Sequence, residues 1–62
     1  MSGYGEIIMN ATGCAADEVE LIEDVMRDVV FHSTLDWQTR EQLEEGARIA
    51  RAALEQSSRY RE

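Results

Sequence analysis

A chain of 62 residues, 44% hydrophobic and 31% charged, has room for one domain with a thin core, because a chain this short buries only about 60% of its unfolded surface. Its net charge of −7 repels phosphate backbones and anionic lipid, which sets nucleic-acid and membrane-surface binding at a disadvantage. The lone cysteine, Cys14, excludes an internal disulfide framework, and no apolar run approaches the ~20 residues of a membrane span. A soluble, cytoplasmic protein is the expectation. Proline is absent, and no alternating β-branched run is long enough for a sheet, so the chain reads as all-α.

Residues 1–5 (MSGYG) read as a flexible lead-in. Glu6 to Thr12 (EIIMNAT) is predicted as one or two helical turns, ended by Gly13 in the left-handed region favoured after a helix. Too short to stand alone, this segment must dock Ile7, Ile8 and Met9 on another element.

The next stretch, residues 15–32, is the predicted central helix. Val19, Ile22, Val25, Met26, Val29 and Val30 fall within roughly 140° of a helical wheel, the width of a core-facing side. Asp17, Glu20, Asp24, Arg27 and Asp28 occupy the opposite side. Leu21 and Phe31 lie outside the apolar arc and need other cover. Acids crowd the helix start and His32 lies in its last turn, both suited to the helix dipole.

Ser33 to Leu35 is predicted as a tight turn. The next helix then has two candidate starts: Asp36, or Thr39, which stands three before Gln42 in a capping-box arrangement. The favoured reading is a helix over 36–57, with 58–62 a polar tail. Its inward arc is small: Leu43, Gly46, Ala47, Ala50, Ala53, Leu54 and Ser57. Gly46 costs about 1 kcal/mol of helix propensity relative to Ala, which invites a packing reason. Arg40, Glu44, Arg48, Arg51 and Glu55 are spaced for ion-pair ladders, and Ile49 lies off the arc. A bulky arc facing a small one predicts an antiparallel hairpin of two long helices, with the N-terminal segment as partial cover. A symmetric dimer forming a four-helix bundle would bury more.

The candidate chemistry is sparse. Asp28, His32 and Asp36 stand at i, i+4 and i+8, a spacing that serves a metal on one continuous helix, but the turn at Ser33–Leu35 takes Asp36 off that face. Pairing of His32 with Asp28 is the simpler expectation. Cys14 has acids beside it and a single histidine in the whole chain, so a buried junction residue is expected rather than a nucleophile. No catalytic group, cofactor or metal is assigned. Trp37 is read either as closing the hairpin end against Phe31 or as an interface anchor.

A helix-turn-helix reading would make the central helix the recognition helix, yet Asp17, Glu18, Glu20, Glu23 and Asp24 are the wrong charges beside phosphate. DNA-binding regulation is therefore the alternative. The leading expectation is a small acidic interaction module without catalytic activity: an adaptor or inhibitor of phage or mobile-element type. Its contact surface would include Leu21, Phe31, Leu35, Trp37 and Arg40, and its partner would be another protein or a second copy of itself.

Overall fold

The computed structural model describes residues 3–56, and all of its regular structure is helical. Helix α1 is Tyr4–Thr12, α2 is Val19–Val25 and α3 is Arg40–Gln56. A 3₁₀ turn, Ala16–Glu18, leads into α2, and a π-type turn, Met26–Val30, extends it. A second 3₁₀ turn, Leu35–Trp37, sits in the connection to α3.

The lead-in ends two residues earlier than expected, because Tyr4 and Gly5 belong to α1. The helix stops where the glycine signal placed its end: Gly13 has φ 73° and its N–H donates to the Met9 carbonyl at 2.7 Å. Thr12 secures the corner. Its hydroxyl donates to the Ile8 carbonyl at 2.7 Å and accepts the Cys14 N–H at 3.2 Å. Cys14 is thereby buried at the junction as a free thiol.

Of the two candidate starts for the last helix, the structure uses Thr39. The Thr39 N–H donates to Gln42 Oε1 at 2.9 Å, and the Gln42 N–H donates to Thr39 Oγ1 at 3.1 Å. These reciprocal bonds satisfy two N–H groups that a helix start leaves without partners. Asp36 does not begin the helix. It lies in the 3₁₀ turn, where its N–H donates to Thr34 Oγ1 at 3.3 Å.

The expected architecture of two long helices and a short covering piece is replaced by three helices that all touch one another. The extra contact belongs to α1, which packs more extensively against α3 than against α2. The physical reason is the stripe of Leu43, Gly46, Ala47 and Ala50 on α3, all buried. Small side chains let backbones approach closely, so one stripe receives both other helices. Ile8 from α1, Ile22 from α2, Met26 from the π-type turn and Leu35 from the connection fill the centre. Ala53, assigned inward on the wheel, is exposed, and Ser57 lies outside the described residues.

The π-type turn accounts for two further departures. The Phe31 N–H donates to the Met26 carbonyl at 2.9 Å, an i→i−5 closure that takes one more residue into the turn. Every position after Met26 therefore lags behind an ideal α-helix. Val29 rotates out of the apolar arc and is 57% exposed, whereas Phe31 rotates in and packs against the core cluster. His32 follows in the left-handed region, at φ 56°, and ends the helix rather than occupying its last turn.

Candidate interaction surface

Of the five residues expected on a contact surface, one is not on the surface. Leu35 is 1% exposed and belongs to the core; the connection folds inward at that point, so the residue anchors the turn and is removed from any surface. Phe31 is half-buried, and its ring lies on Gly46. Leu21 is 41% exposed on α2, and Arg40 is exposed at the start of α3, 3.4 Å from Glu44. Trp37 is 78% exposed and stands outside the core cluster, against which Phe31 packs.

The backbone turn that carries Trp37 is nevertheless held from behind. It is pinned by Leu35 in the core, by the Thr34 hydroxyl, and by the Tyr4 hydroxyl, which donates to Asp36 Oδ1. That bond ties the first turn of α1 to the residue beside the tryptophan. It also raises the Tyr4 pKa above its ordinary value, chiefly because the hydrogen bond to the Asp36 carboxylate favours the protonated phenol.

A second feature was not apparent in the sequence. An open groove of about 230 Å³ runs between the end of the π-type turn and α3. Its floor is Val30, Phe31, Gly46 and Ile49, and its α3 rim carries Glu41, Gln42 and Glu45. The floor exists because Gly46 has no side chain: a Cβ there would lie 2.5 Å from Phe31 Cζ. Ile49 remains 48% exposed along it. The only sequence clue was that Phe31 and Ile49 both fell off their helical arcs. Joining them required knowing the phase shift at the π-type turn.

The carboxylates of Glu41 and Glu45 differ from their neighbours. Glu23 and Asp24 hold Arg27, at 2.9 and 3.4 Å, while Glu44 holds Arg40 and Glu55 holds Arg51. Among the described residues, Glu41 and Glu45 enter no ion pair. Arg48 departs from the expected ladder and donates to the Glu44 backbone carbonyl at 3.3 Å.

The expected pairing of His32 with Asp28 is not formed among the described residues. The left-handed turn at His32 carries its side chain away from the helical i, i+4 position. Both residues line one open hollow with Arg27 and Ser33, and Asp36 is not part of it. Among the described residues, no group of three histidine, cysteine or acidic side chains is placed to hold a metal ion. Among the described residues, no helix is long and apolar enough to cross a membrane. No family model, curated protein or solved structure matches the chain.

Proposed function

We propose that this protein is a small acidic interaction module, acting as an adaptor or inhibitor by contact and not by chemistry of its own. The observation that carries the reading is Trp37: 78% exposed, yet fixed on a turn anchored by Leu35 and by the Tyr4–Asp36 bond. An exposed tryptophan on a pinned backbone turn has a large area to bury and only two side-chain torsions to fix on docking, the character of an interface anchor. The charge of −7 favours a basic partner surface over duplex nucleic acid, and the exposed Asp17, Glu20 and Asp24 on the α2 side work against docking that helix in a groove of DNA. A homodimer through Trp37 and Leu21, with the helices of two copies bundled together, is the self-association form of this reading. A cytoplasmic setting accords with the single unpaired cysteine.

The test compares wild type with Trp37→Ala as bait in lysate of the source cell. Because Trp37 is outside the core, the variant should melt with the wild type. Proteins retained by wild type and lost with Trp37→Ala support the proposal. Identical recovery by both baits removes Trp37 as the anchor, and no specific recovery by either removes the foreign-partner reading.

A further inference from the structure

The groove beside Gly46 has a chemistry distinct from the tryptophan turn. Its floor is apolar, with Ile49 reaching along one side. Its rim carries two exposed carboxylates, Glu41 and Glu45, one helical turn apart and without an ion-pair partner among the described residues. Elsewhere on α3 the acids Glu44 and Glu55 have arginines. The rim is thus an unbalanced anionic edge beside an apolar slot.

We infer that this groove receives a basic amphipathic segment of a partner protein, with a bulky apolar side chain on the Phe31–Ile49 floor and lysine or arginine residues against Glu41 and Glu45. The inference rests on the interaction reading above and supplies the chemistry of one partner element. Charge decides the occupant. A second copy of this chain would bring the same carboxylates to the same rim and a further net charge of −7, so like charges would face one another. A helix with apolar residues at i, i+3, i+4 and i+7 and basic residues elsewhere matches both the slot and the edge.

The probe is a synthetic peptide of about 15 residues, long enough to form a helix, with leucines at those spacings and lysines between them. Binding is followed by titration calorimetry against the whole protein. Ile49→Asp should weaken binding by tenfold or more, since it places a charge where the anchor is buried. The double variant Glu41→Gln/Glu45→Gln should weaken it by about fivefold, the combined effect of two exposed ion pairs. A matched control, Asp17→Asn/Glu20→Gln, removes the same charge away from the groove and should change affinity less than twofold.

Equal weakening by control and rim variants would show attraction by net charge alone and overturn the inference. So would unchanged binding to Ile49→Asp, or no binding to wild type. Ile49 is half-exposed, and its variant is scored only after its melting curve overlays the wild type; should it fail that check, Ile49→Ala gives the same comparison. A failed peptide experiment alongside a partner lost with Trp37→Ala removes the groove inference and leaves the interaction reading intact. Recovery of no specific partner by wild type removes the latter on its own.

Discussion

Gly46 is the residue on which the packing of α3 turns. A Cβ at that position would meet Phe31 at 2.5 and 2.6 Å, far inside van der Waals contact, so the ring and the glycine occupy the space of one another's alternatives. Overpacking a core costs about 1–3 kcal/mol, while replacing glycine by alanine in a helix returns about 1 kcal/mol. Gly46→Ala is therefore expected to lose about 1 kcal/mol in the wild-type background. In a Phe31→Leu background the clash is gone and the same substitution should stabilise. A double-mutant cycle by denaturant melting measures the sign change; equal effects in both backgrounds would show that the ring does not rest on Gly46. Tyr4 gives a pH-dependent counterpart. Its pKa is raised above 10.0, first through the hydrogen bond to Asp36. A raised phenol pKa contributes stability that is fully present below pH 10 and is lost as pH rises through the folded-state value. Wild type should therefore be more stable than Tyr4→Phe at neutral pH, with the difference closing in alkaline solution. Parallel stability curves for the two proteins from pH 7 to the alkaline limit would contradict the bond.

At the scale of elements, signals carried by one or two neighbouring residues were legible in the sequence. Gly13 ends α1 in the left-handed region, Thr39 and Gln42 begin α3 with reciprocal bonds, and Leu43, Gly46, Ala47 and Ala50 form the buried stripe. What was not legible depends on the turn from Met26 to Val30. No residue in MRDVV announces a wide turn, and a wheel drawn at constant phase assigns Val29 inward and Phe31 outward, the reverse of what is found. The groove disappears from view with that error, because it needs Phe31 beside Gly46. Leu35 was misread for a related reason: a single apolar residue in a polar turn has no periodicity to reveal its burial. The end of the wide turn carries its own prediction. His32 holds φ 56°, a region open to glycine, tolerated by histidine and hostile to β-branched side chains. Stability should follow the order His32→Gly, then wild type, then His32→Val, with about 1 kcal/mol between glycine and histidine. A midpoint for His32→Val at or above that of wild type, at unchanged denaturant slope, would mean that the helix does not end in this conformation.

Within one chain, the three helices pack on one another and bury the small-residue stripe of α3. The Cα radius of gyration is 10.7 Å, against about 10.5 Å for a compact chain of this length. Leu21, Val29, Ile49 and Trp37 remain exposed on the single chain, as surface for a foreign partner or a second copy to cover. Self-association and docking of a basic partner use overlapping surfaces but respond to salt with opposite signs. Two chains of charge −7 repel, so added salt screens the repulsion and strengthens a homodimer. A basic partner is attracted, so the same salt weakens its complex, most steeply as the Debye length falls from about 30 Å at 0.01 M to about 10 Å at 0.1 M. Trp37 is the sole tryptophan and reports its own burial through its emission. For the protein alone, the expectation is a monomer by sedimentation equilibrium at 0.01 M salt, with solvent-exposed tryptophan emission unchanged by concentration. An emission that shifts to the blue with concentration, together with a mass that doubles as salt is raised, would instead assign Trp37 to an interface between copies. The groove at Glu41 and Glu45 would then be the surface left for a foreign partner, and its complex should still weaken as salt rises.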